Sequence, residues 1–274
     1  MSTHDITAAE RLLARDQTIT IGGLITLTLL AWVWIVIGAG TGMSTVAMTT
    51  FQFPPPVRPG MVMAWTPAYA VIMFFMWWVM MIAMMIPSAA PMILLYARVA
   101  RHARKRGQME SGVLPTSAFV AGYLASWFVF SLAATFAQWG LERAGLLHQM
   151  LMWSTSATLT GALLIAAGLY QLTPLKAACL EHCRSPASYL SRHWRDGRTG
   201  AFRMGLAHGT YCLGCCAVLM ALLFAGGAMN LVWIAGLAIV VLIEKVAPWG
   251  VWFAHALAAV MILAGGWILL GGPL

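Results

Sequence analysis

Apolar residues in this chain neither alternate every second position nor keep to one helical stripe. They run together in long stretches broken by short polar segments, which predicts helices that are apolar on every side. Seven such stretches can be read, at 19–40, about 66–97, about 117–138, about 153–173, about 204–225, about 231–246 and about 249–270. The first holds 22 residues without a charge, and 204–243 holds 40, with Gly226-Gly227-Ala228-Met229-Asn230 supplying a turn inside it. Thr66 and Pro67 suit the cap and first turn of the second helix. Pro87 and Pro91 predict a kink or break there, with the last turns running along the surface. Pro174 stops the fourth helix and Pro248 the sixth. Ahead of the first, Thr7 with Glu10 reads as a capping box opening a short interfacial helix. Residues 1–18 carry acid as well as base and no small-residue cleavage site follows, so they are not read as a secretory signal. The expected fold is all-α: a polytopic transmembrane helical bundle of about seven spans, formed by residues 19–274 as one domain.

Charge gives the bundle a direction. Of the sixteen Lys and Arg residues, only Arg58 and Arg143 fall on one side of a seven-span arrangement, and the other fourteen fall on the opposite side. That places the N-terminus in the cytoplasm and the C-terminus outside. The longest loops are then about 41–65 outside and about 174–203 inside. With 61% hydrophobic residues, 9% charged and a mean hydropathy of +0.82, neither a soluble enzyme nor a disordered chain fits. The net charge of +8 reflects the inside bias and predicts contact with the bilayer and its anionic lipids, not with nucleic acid.

Five cysteines, Cys179, Cys183, Cys212, Cys215 and Cys216, gather near the cytoplasmic side, where thiols stay reduced. At about 100° per residue, Cys212, Cys215 and Cys216 lie at about 40°, −20° and 80° from His208. Four soft or borderline ligands thus share one stripe, with Gly205 and Gly209 beside it to admit a neighbouring helix. Thiolates with imidazole suit copper or zinc. Cys179-Leu180-Glu181-His182-Cys183 forms a second cluster whose cysteines share a face if the helix continues. His208, Cys212, Cys215 and Cys216, with Cys179, Cys183 and His182, are the candidate metal ligands; Glu244 and His255 are further ones. Glu244, near an interface, can snorkel to it or pair with its neighbour Lys245. The seven methionines of the second helix (Met73, Met76, Met80, Met81, Met84, Met85 and Met92) spread over about half the helical wheel, which suits packing better than ligation. Two other readings stay open: a redox protein, with His208 and His255 as axial ligands to haem b or with the thiols in exchange, and a metal-free accessory subunit. Nucleotide-binding and hydrolase signatures are missing, so no catalytic residue is assigned.

Four segments carry a family resemblance: 77–91 (WWVMMIAMMIPSAAP), 170–176 (YQLTPLK) with Cys179 and Cys183, 208–216 (HGTYCLGCC), and Glu244-Lys245 before Pro248. Together, over about 60–250, they resemble the bacterial predicted metal-binding integral membrane proteins grouped as domain of unknown function 2182. The resemblance implies a multi-pass protein of the bacterial inner membrane that binds a metal, with its Cys and His positions as candidate ligands. A protein of that kind has another membrane or metal-handling protein as its expected partner.

Overall fold

The structure is a computed structural model. It describes residues 8–55, 64–105 and 113–272, without the side chains of 8–16, 104–105 and 113–114. Thr7, the expected cap, lies outside the described residues. Ten helices are present among them: α1 (Ala8–Val36), α2 (Pro67–Lys105), α3 (Val113–Arg143), α4 (Ala157–Gln171), α5 (Pro174–Arg184), α6 (Pro186–His193), α7 (Gly197–Ala221), α8 (Leu223–Gly226), α9 (Leu231–Val246) and α10 (Gly250–Leu269). No strand is formed among these residues. Five helices are long and apolar enough to cross a membrane, or six spans result if α4 and α5, bent by 65°, count as one. At 16 residues α9 is shorter than the span length set by about 30 Å of hydrocarbon.

α2 is the axis of the bundle. Tyr69 N–H donates to Thr66 Oγ1 at 3.2 Å, so the expected cap forms. All seven methionines of α2 are buried, none above 2% exposed. Their wide spread round the wheel therefore reflects a helix covered on most sides. The expected break at the prolines does not occur: α2 runs through Pro87 and Pro91 as one helix of 39 residues. In that turn the Met85 carbonyl accepts from Ser88 Oγ (3.0 Å) and from the Tyr123 hydroxyl (3.3 Å). The carbonyls that lose a donor to these prolines are those of Ala83 and Pro87, four residues back, so these bonds add to the ladder beside the gaps and do not fill them.

Towards the opposite end, α2 is tied to α3 by a buried polar chain. Trp77 Nε1 donates to Gln138 Oε1 (2.7 Å), which orients the amide so that its nitrogen donates to Glu142 (2.8 Å); Trp65 Nε1 holds the other Glu142 oxygen at 2.7 Å. α4 packs on α10 through glycines: a Cβ on Gly265 would come within 2.7 Å of the Gly161 carbonyl oxygen.

The region expected as a loop between the fourth and fifth spans is largely helical. Pro174 ends α4 but also occupies the first turn of α5, whose cap is Thr173 Oγ1 accepting from Lys176 N–H. Pro186 opens α6 in the same way. α7 begins at Gly197, earlier than the apolar run itself, because Arg198 and Arg203 extend from its first turns.

α5 is held by a buried ion pair. Lys176 Nζ lies 2.7 Å from Glu244 Oε2, and Gln171 bridges them, donating to Glu244 Oε1 at 2.7 Å and accepting from Lys176. Arg184 donates to the carbonyls of Glu244 (2.6 Å) and Pro248 (3.1 Å), fastening the end of α5 to the end of α9. Lys176→Met leaves the Glu244 carboxylate buried without its cation. Such a change costs about 3–5 kcal/mol, to be read as a lowered unfolding midpoint in detergent. Adding Glu244→Gln to it should restore part of the loss; no recovery would mean that the pair is not what Lys176 contributes.

Candidate metal centre

α7 turns its cysteines inward because the face that carries them is the one packed against α3. A Cβ on Gly205 would overlap the Phe119 carbonyl, and one on Gly209 would lie 2.5 Å from Ser126 Oγ. Ser126 Oγ donates to the Leu206 carbonyl at 3.0 Å. The two glycines therefore admit α3, as their position beside the stripe leads one to expect. With that rotation set, Cys212, Cys215 and Cys216 are buried to 1% exposure or less.

α5 meets α7 at Gly214, where a Cβ would stand 2.5 Å from Cys179 Sγ. One helical turn further on, Cys183 reaches into the bundle. Its sulfur is 3.9 Å from that of Cys215, which is 3.1 Å from that of Cys216. Cys212 sits one turn before Cys215 and Cys216 on α7, and Cys215 Sγ donates to its carbonyl at 3.2 Å. Four thiols from two helices thus meet in one cluster.

Three more groups, none of them among the expected ligands, complete its lining. Lys245 Nζ approaches Cys212 Sγ at 3.0 Å and Ser88 Oγ at 3.2 Å. The Tyr123 hydroxyl is 3.2 Å from Cys212 Sγ. Glu244 neither pairs with Lys245 nor snorkels: it is buried against Lys176. Neighbours on a helix point about 100° apart, so Glu244 faces Lys176 while Lys245 faces the thiols. A lysine closing an apolar helix is itself a sequence signal for a functional group. Tyr123 and Ser88 carry no such signal, because only packing brings them here.

His208 is 2% exposed and enclosed by the rings of Phe119, Tyr123 and Tyr189. Its Nδ1 has no hydrogen-bond partner among the described residues. Leaving such an atom unpaired costs about 1–3 kcal/mol, and a bound metal ion would remove that cost. The other candidates lie apart. Cys179 rests on Gly214, and His182 stacks on Tyr211 at 4.1 Å. Glu244 is engaged by Lys176. His255 is exposed on α10 and lines a cavity of about 310 Å³ with Gln171, Lys176 and Arg184. His208 and His255 therefore occupy different surroundings, and nothing supports the haem b reading.

Among the described residues, no three His, Cys, Asp or Glu side chains already stand in the spacing of a closed metal site. Two thiolates on one tetrahedral ion, with bonds of about 2.3 Å, lie about 3.8 Å apart. Cys183 and Cys215 are at that separation; Cys215 and Cys216 are too close. The donor set, thiols with an unpaired imidazole nearby, suits a soft ion.

A family model described as PpoB2, copper chaperone, matches residues 74–268, a stretch containing α3 to α9 and all of the thiols. No curated protein and no solved structure matches the chain.

Proposed function

The chain belongs to the PpoB2 copper chaperone family, and we propose that it is a multi-pass protein of the bacterial inner membrane that carries copper as Cu(I). The cargo binds between Cys183, Cys212 and Cys215, with Cys216 and His208 as further donors. One observation carries this reading: thiols from two helices converge in the bundle interior around a lysine ammonium, beside a buried imidazole that lacks a partner. Copper in place of the copper-or-zinc alternative follows from the family.

Each lining group has work to do. Thiolates are the soft donors that Cu(I) prefers. Cu(I) held by two thiolates carries one negative charge, which is costly in an apolar interior unless paired. The Lys245 ammonium, fixed by Ser88, stands 3.0 Å from Cys212 and balances it. The Tyr123 hydroxyl bonds Cys212 and the Met85 carbonyl, so it aims that sulfur from α3. Anaerobic titration of the detergent-purified protein with Cu(I) tests the reading. Saturable binding with a thiolate-to-copper charge-transfer band is expected, and a protein that takes up no copper would sink it.

The membrane arrangement is tested separately. Supporting it are the helices long enough to span and the fourteen-to-two split of Lys and Arg. A membrane-impermeant thiol reagent applied to intact cells should label Gln52→Cys, in the exposed turn after α1, but not Arg198→Cys, at the exposed start of α7. Labelling of Arg198→Cys from outside would reverse the orientation and put the thiols near the oxidising face.

A further inference from the structure

Next to the thiol cluster, on the outer side of α5, the structure holds a second group of metal-ligating side chains that the cluster does not use. His182 of α5 and His193 of α6 line one cavity of about 190 Å³, together with Glu181, Tyr189 and Arg192. His182 Nδ1 is 2.8 Å from the Ala178 carbonyl, and His193 Nδ1 is 3.1 Å from the Tyr189 carbonyl. A carbonyl only accepts, so each Nδ1 donates, and Nε2 is the ring atom left to bind an ion. Metal-binding histidines are commonly oriented this way, one nitrogen donating to a carbonyl and the other facing the ion.

Both rings are also held in place by stacking, His182 on Tyr211 at 4.1 Å and His193 on Tyr189 at 4.9 Å. Tyr189 is fixed in turn, because its hydroxyl donates to the Met204 carbonyl at 2.9 Å. Burial above all, with Tyr211 nearby, pushes that hydroxyl up to about 12, so it remains a donor at neutral pH. The histidines are therefore built into the cavity wall.

Their position relative to the thiols follows from helix geometry. His182 precedes Cys183 on α5, and Tyr211 precedes Cys212 on α7. On each helix the two residues of the pair point about 100° apart. The stacked His182–Tyr211 pair thus lies on the neighbouring face of each helix, one residue away from Cys183 and Cys212 along the chain.

We propose that His182 and His193 form a separate, outer copper site through which the cargo reaches Cys183. This rests on the copper-carrying reading above. In the transfer, Cu–N bonds to the imidazoles break as the Cu–S bond to Cys183 forms. Copper stays Cu(I), no electron moves, and the thiol proton leaves to water in the open cavity.

Two measurements on the full chain in detergent test the site. With native cysteines, Cu(I) loading from a chromophoric Cu(I) chelator is followed by stopped flow. His182→Gln and His193→Gln should each slow the rise of the thiolate-to-copper charge-transfer band at least about tenfold, while the band still reaches its wild-type height. His182→Phe keeps the ring on Tyr211 but has no lone pair, so it should be as slow as His182→Gln. His255→Gln should load normally. In a second experiment all five cysteines are replaced by serine and Cu(II) serves as the probe. Its paramagnetic resonance spectrum should show nitrogen couplings that disappear with either histidine variant. Wild-type loading rates in both His→Gln variants, or nitrogen couplings that survive them, would overturn the outer site. If wild type takes up no Cu(I) but the Cu(II) signal depends on both histidines, the thiol-site reading fails and the outer site stands.

Discussion

Replacing Cys212 and Cys215 together by serine lowers bound copper to near background, measured by elemental analysis after anaerobic loading. Serine is close to cysteine in size but offers no soft thiolate, so ligands are lost with little change in packed volume. The backbone should tolerate it. Cys215 Sγ already donates to the Cys212 carbonyl at 3.2 Å, and a serine hydroxyl makes such bonds back along a helix readily. The variant should therefore still elute as a single species on gel filtration. Met80→Leu with Met84→Leu is the matching control. Both methionines are 1% exposed in the packed core of α2, and leucine fills a similar volume. Copper content should not change. If the cysteine variant keeps its copper and the methionine variant loses it, the site belongs to α2.

Gly205→Leu should prevent the bundle from assembling. A Cβ at this position would overlap the Phe119 carbonyl of α3, and a Cβ at Gly122 would overlap the Phe202 carbonyl of α7. Both obstacles are backbone, so no side-chain rotation relieves them and the two helices must separate. The cost is at or above the upper end of overpacking, about 3 kcal/mol, and it falls on the contact that orients Tyr123 towards Cys212. Gly205→Leu and Gly122→Leu should give aggregated protein or a sharply lowered unfolding midpoint, with copper binding lost alongside. Gly236→Leu is the control: nothing lies within 4 Å of its Cβ position, and leucine favours helix over glycine. If Gly205→Leu behaved like Gly236→Leu, the close approach of α3 and α7 would be wrong.

The differences from expectation have specific causes. Thr173-Pro174 reads as a stop, but a capping residue followed by proline is equally a start, and it serves as both here. α5 and α6 carry too many polar residues to show as an apolar run, so a segment that delivers Cys183 looks like a loop. Pro87 and Pro91 break isolated helices; α2 is buried on most sides and packing by its neighbours carries it through both as one helix. His193 carries no local sign of function, because its partner His182 is on another helix and the cavity joining them exists only in three dimensions.

What the sequence determined by itself is local or compositional. Uncharged runs of twenty or more residues dictate helices apolar all round, because such a segment can satisfy its backbone within itself and gains by leaving water. The 3.6-residue period alone puts His208, Cys212, Cys215 and Cys216 on one stripe of α7, with Gly205 and Gly209 beside it. Only the tertiary structure decided what faces that stripe. Cys183 enters while Cys179 stays at Gly214, and Lys245 turns to the thiols while Glu244 turns to Lys176. These choices depend on how each helix is rotated about its own axis. That rotation is set by close contacts between distant segments, Phe119 with Gly205 and Lys176 with Glu244. A single helix holds no record of its own rotation, because an apolar surface is nearly the same in every direction until a glycine lets a neighbour approach.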